Sequence, residues 1–429
     1  MSEAAPAPAF GRPRDAEVLV VGAGSVGVCS AWFLRQAGAE VVLLDKGEVC
    51  SGSSHGNAGL VVPSHSVPLA EPAALRAGLR YMMSPDSPFY IKPRLDGDLL
   101  RWLWRFRRAA TQARVDRAVP VLRDLHLESR GLFREIADSG LDFSYGEIGR
   151  LMLCDTPEGL ADAEEEARHM GAAGIEVESV DAAEAAARLG GFEVRCVGGV
   201  FYSQDSHMDP GRFVRGLAGR AAEAGVTVVE GAEVLRLLTR GDSVEAVETT
   251  RGVFRPRQLV LAAGSWSPEL ARGLGVKAPI QPAKGYSVTV ESPPGTPDLP
   301  LMLTEARVAM TPMGRDRVRF AGTLELAGMD LSINQRRVDA IMRGVPRYIP
   351  HWDPSSFRVH EVWRGLRPCT PDGMALLGRP RRWRNVVVAA GHAMIGLSLG
   401  PVTGRIVSRL VAGEEPGHDL ELLDPDRFS

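Results

Sequence analysis

No C-x-x-C pair occurs in this sequence, and its five cysteines (Cys29, Cys50, Cys154, Cys196, Cys369) are scattered and odd in number. That pattern supports neither a disulfide framework nor a zinc site, and it fits a reducing cytoplasm. No apolar run approaches the roughly 18 to 20 residues of a membrane-spanning helix. Residues 1–14 are rich in alanine and proline, lack the apolar core of a signal peptide, and read as a frayed tail. A basic surplus is missing as well. The 50 Lys and Arg stand against 53 Asp and Glu, a net charge of −3, which gives nucleic-acid binding no support. Nor is there an internal repeat. What remains is the composition of a soluble globular protein, 45% hydrophobic and 24% charged over 429 residues, long enough for two domains.

Residues 17–46 carry the strongest local pattern. An apolar run, Val18-Leu19-Val20-Val21, leads into Gly22-Ala23-Gly24-Ser25-Val26-Gly27. A helical stretch follows to Gly38, and a second apolar run, Val41-Val42-Leu43-Leu44, ends at Asp45-Lys46. Each glycine has a physical task in a dinucleotide turn. Gly22 permits the tight bend, Gly24 admits a pyrophosphate against backbone N–H groups, and Gly27 lets the helix pack on the strand. An acid about 20 residues further on is placed for an adenine ribose, and that is Asp45. By itself this stretch does not separate FAD from NAD.

A loop of small and hydroxyl-bearing residues follows, Ser51-Gly52-Ser53-Ser54-His55-Gly56-Asn57-Ala58-Gly59, which suits backbone lying close against a ligand. His55 reads equally as a catalytic or a structural histidine. Residues 98–111 read as a helix whose arginines interleave with aromatics. A domain helix with a solvated basic face is the preferred reading, and peripheral contact with an anionic membrane surface is the alternative. Thr156-Pro157 and Asp209-Pro210 each supply a helix cap followed by a first-turn proline. Residues 257–263 form a buried strand ending in Gly264-Ser265-Trp266-Ser267, and residues 386–390 form another, ending in Gly391-His392. The carboxyl ends of such strands are where open α/β sheets bind ligands. Residues 278–360 alternate polar and apolar in short runs, the pattern of an antiparallel sheet with one solvated face.

The fold expected is therefore α/β: a Rossmann-like nucleotide domain with a parallel sheet, plus an α+β substrate domain with an antiparallel sheet. The expected boundaries are discontinuous, with residues 1–80, 205–277 and 358–429 in the first and 81–204 and 278–357 in the second.

Several segments together give the chain a resemblance to the FAD-dependent D-amino acid dehydrogenases, relatives of the D-amino acid, glycine and sarcosine oxidases. They are Gly22–Gly27 with Asp45, the 53–59 loop, and Lys284-Gly285-Tyr286-Ser287. To these add Gly365-Leu366-Arg367-Pro368 with Thr370-Pro371-Asp372-Gly373, and Gly391-His392 with Gly396. The resemblance implies an extended FAD between two domains, held by Gly22, Gly24, Ser25, Val26, Gly27, Asp45, Lys46, Ser53, Ser54, Asn57, Ala58, Gly59, Val234, Gly264 and Trp266. Gly391, His392, Met394, Ile395, Gly396, Leu397 and Ser398 would lie near the flavin's pyrimidine end.

The implied chemistry is hydride transfer from the substrate Cα to flavin, giving an imine that water hydrolyses to a keto acid and ammonia. Arg367 would grip the substrate carboxylate, since arginine offers a bidentate fork that lysine lacks; its structural alternative is an ion pair with Asp372. Tyr286 would hydrogen-bond the same carboxylate, line the pocket, or serve as a buried structural tyrosine. Glycine oxidases of this group carry a further arginine after the Gly-His pair, where this chain has Ala393-Met394-Ile395. Those apolar residues favour a compact or cyclic side chain, such as D-proline or hydroxy-D-proline. Cys369 does not align with the cysteine that holds flavin in sarcosine oxidases, so non-covalent FAD and no metal are expected. Electrons would pass to a quinone or an electron-transfer protein, in the cytoplasm or at the cytoplasmic face of the inner membrane. The alternatives are an oxygen-using oxidase of glycine or N-methyl amino acids, and a non-catalytic flavin-binding subunit of a larger complex.

Overall fold

Strand Arg14–Val21 pairs in parallel with Val41–Leu44 on one side and with Gly252–Leu261 on the other. The parallel set extends outward through Thr227–Val229 beyond Val41–Leu44, and through Val386–Ala390 beyond Leu259–Leu261. An antiparallel hairpin, Val234–Arg240 with Ser243–Thr249, joins the near end of Gly252–Leu261. The computed structural model from which these pairings come describes residues 13–75 and 89–429.

Val18, Leu19 and Val20 are essentially unexposed, as expected of a strand covered on both faces. Three helices cover one face of this sheet: Ser25–Gln36, Pro210–Glu223 and Gly400–Ala412. Glycines set how closely two of them cross. A Cβ on Gly404 would lie 2.5 Å from the Cys29 backbone, and one on Gly400 would lie 2.4 Å from Ser25 Oγ. The last helix is thereby seated against the first, which fixes the 391–399 turn above the glycine turn.

The second sheet runs in the order Val359–Cys369, Gln281–Glu291, Arg317–Leu326, Val308–Pro312, Leu301–Leu303, Arg150–Cys154, Gly198–Tyr202, Val177–Asp181. Phe89–Ile91 pairs with Arg317–Leu326 off this path. It is antiparallel except at Leu301–Leu303 with Arg150–Cys154 and at Phe89–Ile91. Val359–Cys369 pairs along nearly its whole length with Gln281–Glu291, so this strand, expected with the nucleotide domain, lies in the second sheet.

The caps read from the sequence are present: Thr156 Oγ1 accepts from Gly159 N–H at 3.0 Å, and Asp209 accepts from Gly211 and Arg212. Among the described residues no helix is long and apolar enough to cross a membrane, and no cluster of side chains could hold a metal ion.

Candidate active site

A cavity of about 1460 Å³ runs from the glycine turn to the second sheet. That exceeds the roughly 300–1,000 Å³ of a common small-molecule site and suits a dinucleotide together with a substrate.

At its nucleotide end the glycine tasks are visible. Gly22 has φ +108°, and a Cβ there would lie 2.4 Å from Ala262 O. A Cβ on Gly27 would lie 1.7 Å from Gly22 O, so Gly27 serves packing and does not line the cavity. Gly24 does line it, and there an added Cβ would meet only Ser54 Oγ. Ser25 Oγ is buried without a hydrogen-bond partner in this concave turn, an orphaned donor of the kind a phosphate oxygen satisfies. Asp45 accepts from Ala23 N–H at 2.7 Å and Gly47 N–H at 2.8 Å, and its carboxylate keeps lone pairs for a ribose. Lys46 lies 4.0 Å over the Trp266 ring, and both line the cavity with Val26, Val234 and Gly264. These residues fit FAD.

The 51–59 loop bridges the two sheets. Arg319, buried in the second sheet, donates to the carbonyls of His55 and Asn57 at 2.8 and 2.9 Å. Ser53 Oγ donates to Leu366 O, and Ser54 Oγ accepts from Ser25 N–H at 2.9 Å. Ser53, Ser54, Asn57 and Ala58 line the cavity; Gly59 does not. Its φ of +76° and the Met208 O only 2.3 Å from a hypothetical Cβ make it a packing glycine. Gly391, His392, Met394, Ile395, Gly396, Leu397 and Ser398 line the cavity as well, and Val62 N–H donates to Ser398 Oγ at 3.1 Å. His392 is buried with Nε2 3.1 Å from Thr403 Oγ1, and burial pulls its pKa down to about 4, so it stays neutral.

Arg367 occupies a built position. Opposite Gly285, strand Arg317–Leu326 bulges: Tyr286 pairs with Gly322 and Lys284 with Glu325, leaving two residues against one. The bulge puts Thr323 at φ +65° and presents its carbonyl to Arg367 Nη1 at 2.8 Å. Gly285 provides the room, because a Cβ there would lie 2.0 Å from Arg367 Nη1. Among the described residues the guanidinium has that carbonyl as its hydrogen-bond partner and no carboxylate. Burial draws its pKa below the ordinary arginine value, yet arginine remains charged. A cation so placed calls for an anion.

Two sequence candidates do not reach the cavity. Tyr286 is 1% exposed, and its hydroxyl donates to Glu325 Oε2 at 2.9 Å within the sheet core. His55 Nε2 lies 2.9 Å from Glu361 Oε1, and Nδ1 lies 3.1 Å from Arg215 Nη2. Since arginine only donates, Nδ1 accepts and Nε2–H donates to Glu361. His55 is a strut between elements.

Other lining residues carried no signal in the sequence. Trp363 is wedged where Cβ atoms on Gly56 or Gly365 would fall within 2.0 or 1.9 Å of its ring. Arg150 pairs with buried Asp205 at 2.8 Å and donates to Ser64 Oγ, also at 2.8 Å. His65 lines the cavity beside them, and its pKa is lowered mainly by burial.

A glycine turn at the end of a parallel sheet, with one continuous cavity running from it to an antiparallel sheet, is the frame of a dinucleotide-binding protein. The FAD dependent oxidoreductase (DAO) family model matches residues 17–410, and the chain belongs to that family, with FAD as its cofactor. It is 33% identical over 419 residues to a D-amino acid dehydrogenase of Granulibacter bethesdensis, covering 96% of this chain and 99% of that one. Identity to the enzyme of the same name from Paramagnetospirillum magneticum is 34% over 421 residues, with 96% and 99% covered. In fold it is similar to glycine oxidase from Geobacillus kaustophilus, with TM-score 0.78, 24% identity, and 96% and 99% of the two chains covered. It is also similar to L-amino acid deaminase from Proteus myxofaciens, with TM-score 0.76, 18% identity, and 97% and 94% covered.

Proposed function

We propose that this chain is an FAD-dependent dehydrogenase of small or cyclic D-amino acids, with D-proline and hydroxy-D-proline as candidate substrates. The observation that carries the reading is Arg367: a half-buried guanidinium that lines the cavity, held by the Thr323 carbonyl and with no carboxylate partner among the described residues. The D-amino acid dehydrogenases to which the chain is similar over nearly its whole length support the substrate class.

FAD, when bound, supplies the acceptor for the electron pair leaving the substrate Cα. The protein's own part is binding and orientation. Arg367 grips the carboxylate and so fixes the direction of the Cα–H bond. Trp363, Met394 and Ile395 give the cavity apolar walls that exclude water and favour a compact side chain. Gly22, Gly24, Ser25 and Asp45 hold the dinucleotide. Cys369 lines the cavity, but burial pushes its thiol up to about 12, which supports non-covalent FAD because thiol attack needs the thiolate.

Helix Gly97–Ala109 supports a membrane-facing site of electron delivery. Trp102, Leu103 and Phe106 line the cavity, while Leu100 and Trp104 are exposed on the same helix among Arg101, Arg105, Arg107 and Arg108. An anionic membrane surface matches that face, and a quinone is the acceptor it implies. Co-sedimentation with anionic but not zwitterionic vesicles, lost in Leu100→Asp, is the expected result.

Anaerobic mixing of the yellow holoenzyme with a panel of D- and L-amino acids tests the main reading. Bleaching by D-isomers and little peroxide release under air are expected; bleaching by L-isomers alone would sink it.

A further inference from the structure

Five arginines line the cavity, and four of them are committed. Arg150 holds Asp205, Arg236 holds Glu248, and Arg364 and Arg367 donate to the carbonyls of Leu331 and Thr323. The fifth, Arg307, has neither a side-chain hydrogen bond nor an ion pair among the described residues.

Its backbone is firmly held. Arg307 closes the turn between Leu301–Leu303 and Val308–Pro312. In that turn the Glu305 carboxylate accepts from Asp155 and Thr156 N–H groups at 3.1 and 3.2 Å. Glu305 N–H donates to the Tyr348 hydroxyl at 2.9 Å. Arg307 itself sits at φ +54°, a conformation that non-glycine residues rarely adopt. The side chain itself is exposed and lines the cavity.

Register places its backbone in line with the anchor. Val308 pairs with Gly322, so Arg307 stands beside Thr323, the bulged residue whose carbonyl holds Arg367. Arg307 lies two strand spacings, about 10 Å, from Gly285, over which the Arg367 guanidinium rests. Thr323 lies between them, and the neighbouring positions Ala309, Ala321 and Gly322 are small residues that line the cavity.

We infer that Arg307 is a second substrate-binding residue, closing on the α-carboxylate from the side opposite Arg367. A carboxylate has about four lone-pair sites and one guanidinium fills at most half of them, so a second cation has acceptors left to bind. The inference rests on the proposed role of Arg367.

The test titrates holoenzyme with pyrrole-2-carboxylate and with its amide, following the flavin spectrum, alongside steady-state kinetics on D-amino acids. Arg307→Ala is expected to raise the carboxylate Kd and the substrate KM about 10-fold, the lower end for an exposed charge-assisted bond. The amide Kd and kcat are expected to change little, and Arg307→Lys to recover part of the loss. An unchanged carboxylate Kd overturns the inference. So does a loss confined to D-aspartate and D-glutamate, which would put Arg307 at the side chain. Arg367→Ala run in parallel separates the two ideas: an effect there without one at Arg307 sinks this inference alone, and no effect at either site sinks both.

Discussion

Arg427 grips both carboxylate oxygens of Asp372, Nε to Oδ2 at 2.8 Å and Nη2 to Oδ1 at 3.0 Å. Asp372 follows Arg367 in the same motif and was its candidate structural partner. With both oxygens taken by the C-terminal arginine, the ion pair that would have made Arg367 structural does not form. The Arg367 guanidinium is left charged and facing the cavity.

Removing that guanidinium is expected to cost about 1.5–3 kcal/mol of transition-state binding, the worth of a hydrogen bond to a charged group. Arg367→Ala then lowers kcat/KM by roughly 10- to 150-fold. Gly285→Ala should produce a comparable loss without touching the arginine, because the new Cβ would occupy the place of Nη1. Steady-state kinetics check both, and full activity in Gly285→Ala would mean the guanidinium works from elsewhere.

Asp372→Ala is expected to act on stability and to spare the substrate site. The pair is largely buried, with side chains 13% and 8% exposed, and breaking such a pair costs about 3 kcal/mol or more. Thermal unfolding followed by flavin release should show a lower Tm with substrate KM unchanged. A raised KM with unaltered Tm would return Asp372 to the site.

Acid should weaken the fold before the carboxylates titrate. Burial pulls the pKa of His126 down to about 3, and those of His207 and His392 to about 4. Below about 6.5 the unfolded chain takes up these protons while the native protein does not, so stability falls with pH from 6.5 towards 4 and is fully present above 6.5. Tm should therefore drop between pH 6.5 and 4.5, and His207→Gln should flatten the slope. A Tm constant across that window would show these rings to be solvated.

Asp45→Ala should weaken FAD retention. It removes the ribose acceptor and frees the Ala23 and Gly47 N–H groups that shape the turn. Gel filtration with absorbance at the flavin band reads the loss; undiminished FAD would assign Asp45 to the turn alone.

The nucleotide half was legible from the chain because its requirements are local. Gly22 must turn left-handed, Gly27 must lack a Cβ, and two apolar runs must flank a helix, all within about 30 residues. The same locality made Thr156 and Asp209 readable as caps. The motif 365–373 pointed to Arg367, yet nothing in it says whether the guanidinium is paired or free.

That was decided in three dimensions. Arg427, 55 positions after Asp372, captures the acid. A bulge opposite Gly285 turns the Thr323 carbonyl towards Arg367, and strand register puts Arg307 beside it. Tyr286 and His55 were drawn away by Glu325, Glu361 and Arg215, partners supplied by distant segments. Side-chain alternation and turn geometry are short-range properties that a sequence carries on its face. Which strand lies beside which, and in what register, depends on packing over the whole chain, and the surroundings of Arg367 are set by such pairings.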